Sequence, residues 1–174
     1  MSKAVLISIQ PEWCELIASG AKTVEVRKTK PKLEPPFKCY IYCTLPKKSG
    51  DIYLVGDVSP VQGNGKVIGE FVCNRISPIA ATCDGLVDVV DLQESCMTVK
   101  EMFTYSGGKL PLYGWHISDL VIYDKPREIT NFYEHCDEDY DCWLCKWWGK
   151  ETATCKMPPI TRPPQSWCYV DMQF

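Results

Sequence analysis

No stretch of this 174-residue chain approaches the run of about 20 apolar residues that spans a bilayer, which excludes a helical membrane protein. Before Gln10-Pro11-Glu12 there are only five or so apolar residues; a secretory leader needs roughly 7–15 and a cleavage site. A cytoplasmic protein is therefore expected. Histidine is scarce, with two in the chain. No Ser-His-Asp order, phosphate loop or dinucleotide glycine pattern occurs, which disfavours those enzyme classes. Excess positive charge is also lacking. The net charge is −3, too acidic for a protein that coats nucleic acid by counterion release alone.

The charge is nevertheless uneven. Residues 1–75 carry 11 Lys/Arg against 7 Asp/Glu, and residues 76–174 carry 8 against 15. Any nucleic-acid contact must be local, and the run Arg27-Lys28-Thr29-Lys30-Pro31-Lys32 is the place for it; the competing reading is a solvated loop. Cysteine is abundant, at 11 residues, but an odd number with no leader argues against a full disulfide framework. Cys14, Cys39, Cys43, Cys73, Cys83 and Cys96 are scattered through apolar segments, where a free thiol acts as a small core hydrophobe.

The remaining five form the spacing Cys136-x5-Cys142-x2-Cys145-x9-Cys155-x12-Cys168. A Cys-x2-Cys pair lets two thiolates reach one ion, and tetrahedral zinc needs two more ligands. Cys155 with either Cys136 or Cys168 supplies them, and Cys136 is preferred because Cys168 sits in a strand-like segment. A structural zinc on Cys136, Cys142, Cys145 and Cys155 is the expected cofactor of a C-terminal lobe. Trp143, Leu144, Trp147 and Trp148 would cover that lobe, which is too small to build its own core. The alternative is reduced thiols.

Ala4 to Ile9 reads as a strand buried on both faces. Pro11 suits the first turn of a helix, which Gly20 stops. From Thr23 to Arg27 the period is two, so Val24 and Val26 face one way and Thr23, Glu25 and Arg27 the other, with Lys22 at the strand mouth. That face is either a salt-bridged surface or a wall of a polar cleft. Phe37 to Thr44 and Lys66 to Ile76 read as strands, the latter after a Gly63-Asn64-Gly65 turn. Residues 45–65 form a hairpin insertion or a lid. Gly85 to Val90 reads as a short strand and Thr98-Val99-Lys100-Glu101 as a capping box whose helix ends at Gly107-Gly108. Tyr113 to Tyr123 is a strand closed by Pro126, Thr130 to His135 one or two helical turns, and Ser166 to Val170 a last strand. About six strands with few helices and no βαβ rhythm predict an α+β fold built on a small mixed β-barrel. The barrel is expected over residues 1–130, with a Cys/Trp-rich extension over 131–174 whose last strand can return to it.

The ordered set Ile7-Ser8-Ile9, Pro11-Glu12-Trp13, Gly20, Lys22, Glu25 and Arg27, with Gly65 to Phe71 and Gly114-Trp115-His116-Ile117-Ser118, resembles the ASCH domain family, relatives of the PUA-like barrels that bind RNA. The likeness covers about residues 4–130. With Arg162 to Val170 included, the chain looks like the ASCH proteins carried by phages and prophages. The resemblance implies a cleft whose wall carries Lys22, Glu25 and Arg27, and binding of RNA or a modified nucleotide or nucleoside. Some ASCH enzymes hydrolyse an acylated cytidine with a Thr nucleophile two residues before the motif Arg and a Lys two residues after the Gly. Lys22 matches that Lys, but Glu25 stands in the Thr position and Thr23 is misplaced for it.

The chemistry of these residues fits a nucleobase. Arg27 offers a planar donor fork and Glu25 an acceptor for a base N–H, while a Lys beside a cationic Arg is a candidate general base. Trp115 and His116 adjoin in one strand and face opposite sides, so one lines the cleft and the other the core. Trp115 is a candidate stacking platform and His116 a lesser candidate catalyst. Gln165, Ser166 and Trp167 follow the stiff Pro163-Pro164 pair; they either read and stack a base or pin a terminal strand. A binding ASCH domain is the expected function. The alternatives are a hydrolase of a modified nucleoside, with Lys22 as base, Glu25 polarising water and Arg27 holding the substrate, or a phage-derived interaction module that uses the Trp-rich lobe.

Overall fold

A computed structural model describes residues 3–46, 64–80, 89–135 and 157–171. Strand β1 (Lys3–Ile9) leads into helix α1 (Pro11–Ala18), then β2 (Val24–Arg27), β3 (Phe37–Cys43) and β4 (Lys66–Ile79). Helices α2 (Val89–Ser95) and α3 (Val99–Ser106) precede β5 (Leu112–Arg127), a 3₁₀ turn (Ile129–Asn131) and β6 (Trp167–Asp171). The strands form one sheet in the order β2-β5-β4-β3-β1-β6. β1 and β3 run parallel, and the other neighbours run antiparallel.

The sheet curls. Arg27, on the β2 edge, donates from Nη2 to the Ser8 carbonyl of β1 at 2.6 Å. Just beyond β2, Thr29 Oγ1 accepts from Trp167 Nε1 at 3.1 Å, and the Lys32 N–H donates to the Tyr169 hydroxyl at 2.7 Å. The two edges are thus bridged by side chains, and among the described residues no backbone ladder joins β2 to β6. The expected mixed α+β barrel is present as this curled, side-chain-closed sheet.

β1 is buried on both faces, as its β-branched composition requires. Val5, Ile7 and Ile9 enter the main core with Ile41, Phe71, Trp115 and the Cys14 and Ile17 side of α1. Ala4 and Leu6 pack on the opposite side with Tyr40, Phe132, Ile160 and Val170. Four scattered cysteines, Cys14, Cys39, Cys43 and Cys73, are buried free thiols, and Cys96 is half-buried. Burial pushes the Cys73 thiol up to about 12, in keeping with a cysteine used as a hydrophobe.

Local signals explain the element ends. Gly20 follows α1 at φ +77° and donates to the Ile17 carbonyl, a conformation that favours glycine. Thr98 and Glu101 exchange both bonds of the capping box. Two expectations need correction. Val89 and Val90 open helix α2 rather than close a strand: the segment Asp91-Leu92-Gln93-Glu94 that follows them favours helix, and docking on β2 fixes it, with the Thr23 N–H donating to the Glu94 carbonyl. β5 also continues through Pro126 to Arg127. The ladder with β4 jumps from Gly69–Ile122 to Val67–Arg127, and such an irregularity accommodates a residue with no N–H. Cys83 and the zinc candidates Cys136, Cys142, Cys145 and Cys155, like Trp143, Trp147 and Trp148 and most of the 45–65 insertion, lie outside the described residues. Among the described residues no cluster of His, Cys, Asp and Glu could hold a metal, and no helix is long and apolar enough to cross a membrane.

On the outer side of β3 and β4, Glu70 meets Lys38 Nζ at 2.8 Å and accepts from the Tyr123 hydroxyl. Partial burial raises its pKa, but the bonds from Lys38 and Tyr123 and the charges of Lys38 and Arg127 outweigh it, leaving the carboxyl below its ordinary 4.5. Its folded-state pKa lies below its unfolded one, so the stabilisation is full above the ordinary value and fades as pH falls through the folded one. Glu70→Gln should flatten the acid limb of Tm against pH below about 4.5 and leave the limb above pH 6 parallel to wild type. An unchanged acid limb would mean that this network contributes nothing to folding.

Candidate nucleotide-binding cleft

β2 is short and all four of its residues are buried. Its apolar face, through Val26, packs on Ile79, Met102 and Leu112. The opposite face turns Glu25 and Arg27 inward, where Lys22 joins them from the turn after α1. Their exposures are 5%, 7% and 2%. Glu25 is the hub: its Oε2 lies 3.4 Å from Lys22 Nζ and its Oε1 lies 3.1 Å from Arg27 Nη2. Lys22 Nζ also donates to the Ser95 carbonyl at 2.6 Å and sits 4.9 Å from the centre of the Trp13 ring. Arg27 Nε has no hydrogen-bond partner among the described residues. Two cations around one carboxylate leave the cluster with one net positive charge in a place where charge is costly to bury.

The cluster forms the floor of a cleft of about 720 Å³, within the usual range for small-molecule sites of roughly 300–1,000 Å³. α1 supplies one wall through Trp13, and α3 supplies Tyr105. The rim is built by residues far away in sequence: the Ser8 N–H donates to the Ser166 carbonyl at 2.9 Å, and Ser8 Oγ donates to the Pro164 carbonyl at 2.7 Å. These bonds fix Pro163 to Ser166 against β1, so Gln165 and Ser166 line the cleft opposite Lys28 and Thr29. Burial pushes the Tyr105 phenol up against opposing contributions from Arg27 and Lys28, which keeps it protonated as a donor. Beneath the cleft, burial and the hydrogen-bonded neighbour Cys43 raise the Cys14 thiol well above its ordinary value.

The family model of the ASCH domain matches residues 7–155. This chain belongs to the ASCH domain family. The ASCH protein from Zymomonas mobilis has a similar fold, with a TM-score of 0.56 and 18% identity over 97% of this chain and 87% of that one. A Tyr-to-Phe variant of the same protein gives a TM-score of 0.56 and 19% identity over 98% and 91%. A Ser-to-Ala variant gives 0.56 and 18% over 97% and 88%. No curated protein matches the sequence.

This ASCH domain brings Lys22, Glu25, Arg27, Gln165 and Ser166 to one cleft. Two of the aromatic candidates lie elsewhere. Trp115 is opposite Glu25 in the β2–β5 register and so shares its face. It is 0% exposed, however, and packs edge-on to Phe37; a ring so enclosed is core and stacks on no ligand. Trp167 is half-buried beside Tyr169 and lines an adjacent groove. His116 pairs opposite Val24, on the other side of the sheet from Glu25, where its ring meets Ser77 Oγ at 2.9 Å and Arg75 Nη2 at 3.2 Å. That is a structural histidine. Cys168 packs against the second apolar cluster, with burial and then Glu134 raising its thiol to about 11. The sequence reading missed Trp13 and Tyr105 as cleft residues. Trp13 shares one face of α1 with Leu16 and Ile17, and Lys22, whose turn leaves the far end of that helix, reaches back to set its Nζ 4.9 Å from the Trp13 ring.

Proposed function

We propose that this ASCH domain binds a nucleotide unit of RNA, or a modified nucleoside, in the cleft floored by Lys22, Glu25 and Arg27. The observation that carries this reading is the buried Lys22–Glu25–Arg27 cluster, open to a cleft with the half-exposed ring of Trp13 beside it. Glu25 supplies an acceptor for a base N–H or exocyclic amine, Arg27 supplies a donor for a carbonyl edge or phosphate, and Lys22 adds its positive charge to the floor. Trp13 and Tyr105 offer aromatic surface for a base. Gln165, on the rigid Pro163-Pro164 rim, adds an amide that can pair with a base edge. The residual positive charge suits an electron-rich ligand.

The hydrolase reading is supported less well. Lys22 Nζ is committed to the Ser95 carbonyl and to Glu25, and Glu25 occupies the nucleophile's place in the motif. The free thiols suit a reducing compartment such as the cytoplasm. The spacing of Cys136, Cys142, Cys145 and Cys155 supports a structural zinc in the C-terminal segment, and residues 162–170 carry the likeness to phage-borne relatives.

Melting curves with a panel of nucleosides, nucleoside monophosphates and acylated cytidine test the reading. A ligand at about 100 times its Kd stabilises the folded state by about 2.7 kcal/mol, which raises Tm by roughly 5–10 °C in a chain of this size. At least one member of the panel should do so without being consumed. No shift with any member would contradict binding, and release of free acid from acylated cytidine, abolished by Lys22→Met, would establish the hydrolase instead.

A further inference from the structure

From the cleft we infer that a second, contiguous groove carries the phosphate backbone of a single-stranded polynucleotide onward, so that the ligand is a strand and not a free nucleoside. This rests on the cleft reading above and narrows it to a substrate class. The groove, of about 460 Å³, is lined by Lys3, Lys30, Lys32, Leu33, Trp167 and Tyr169. It adjoins the cleft along two segments. Lys28 and Thr29 line the cleft while Lys30 and Lys32 line the groove; Gln165 and Ser166 line the cleft while Trp167 and Tyr169 line the groove. The bond from Trp167 Nε1 to Thr29 Oγ1, at 3.1 Å, ties the two segments together at the junction.

The chemistry of this track is that of a backbone channel. Lys28, Lys30 and Lys32 are exposed, and no ion pair engages them among the described residues. They alternate along the chain, so Lys28 to Lys32 covers at most about 14 Å. Lys3 lies 4.2 Å from the centre of the Tyr169 ring, and Trp167 and Tyr169 stand edge to face at 5.4 Å between centres. Charges that follow a strand, interleaved with half-exposed aromatic rings, are the combination that binds single strands with little sequence preference. A solvated lysine loop would not need two rings along its far wall, nor a hydrogen bond that closes the seam beside them. Glu34 is the one carboxylate in residues 28–36.

The test is binding of a fluorescein-labelled eight-residue oligouridylate, with oligothymidylate of the same length and uridine monophosphate as comparison arms. Three proteins are compared: wild type, the K30Q/K32Q double variant and Arg27→Ala. Both lysines are exposed, so the double variant should melt with wild type. The proposal expects wild type to bind the octamer at least tenfold more tightly than the monophosphate. K30Q/K32Q should lose that advantage and lower the slope of log K against log[salt] by about 1.4, since each phosphate contact on a single strand contributes about 0.7. The monophosphate should bind as before. An octamer that binds no better than the monophosphate, or whose affinity and salt slope survive K30Q/K32Q, would overturn the groove while leaving the cleft reading intact. Octamer binding lost in K30Q/K32Q but unchanged in Arg27→Ala would uphold the groove and count against the cleft. A stronger response to the thymidylate octamer would assign the strand to DNA.

Discussion

Replacing Glu25 with alanine should destabilise the protein by about 3–5 kcal/mol, the cost of removing one partner from a buried ion pair, or roughly 6–20 °C in Tm for a chain of this length. The reason is charge counting. Glu25 is 5% exposed and stands between Lys22 Nζ at 3.4 Å and Arg27 Nη2 at 3.1 Å. Its loss leaves two cations buried near each other with no carboxylate. Arg27→Ala leaves a Lys22–Glu25 pair, and Lys22→Met leaves a Glu25–Arg27 pair; each removes one charge and keeps a neutral couple. The stability order should therefore be wild type, then the two cation variants, then Glu25→Ala well below. Chemical denaturation of the four proteins measures it. An Arg27→Ala protein less stable than Glu25→Ala would mean that the bond from Arg27 to the Ser8 carbonyl, and not the carboxylate, holds the cleft together.

Arg27→Ala should weaken binding of whichever nucleotide stabilises the wild type by about 1–3 kcal/mol, the scale of a bidentate base contact, or about 5–150-fold in Kd. Arg27→Lys should recover little of it, because a compact ammonium cannot replace a planar guanidinium whose Nη2 meets both Glu25 and the Ser8 carbonyl. Calorimetric titration decides the matter, and unchanged affinity in a folded Arg27→Ala protein would make the Glu25–Arg27 pair purely structural.

Much of the site was legible in short-range signals. The two-residue period of Val24 to Arg27 separates the apolar and polar faces, and Gly20 with the Thr98 capping box marks where α1 ends and α3 begins. What could not be read depends on contacts between distant segments. Gln165 and Ser166 stand out in the sequence after Pro163-Pro164, but the bond from Ser8 Oγ to the Pro164 carbonyl that sets this rim against β1 spans 156 residues, and no local pattern announces it. Strand alternation separated Trp115 from His116 without saying which of them enters the core, because it fixes relative direction and not depth; the β2–β5 register sets Trp115 on the face of Glu25, where Phe37 and Trp167 enclose the ring. Trp13 was hidden by the opposite error, since helical spacing marks a face without saying which end of that face opens onto a cleft. The Val89-Val90 pair shows tertiary docking overriding a β-branched preference: the helix that opens there, α2, sets the Ser95 carbonyl against Lys22 and the Glu94 carbonyl against Thr23, and so its far end helps to build the cleft floor.

In the proposed mode of binding, a nucleobase enters the cleft beside Trp13 and above the Lys22–Glu25–Arg27 cluster. The most direct test is a titration of ¹⁵N-indole-labelled protein with the nucleotide that raises Tm, following the six tryptophan indole N–H resonances assigned by single Trp-to-Phe variants. The resonance of Trp13 should shift with saturation at the Kd measured by calorimetry, while that of Trp115, closed in the core, should stay within a small fraction of the Trp13 displacement. An unmoved Trp13, with shifts confined to Trp143, Trp147 and Trp148, would place the ligand outside the cleft and rule out binding at the Lys22–Glu25–Arg27 floor.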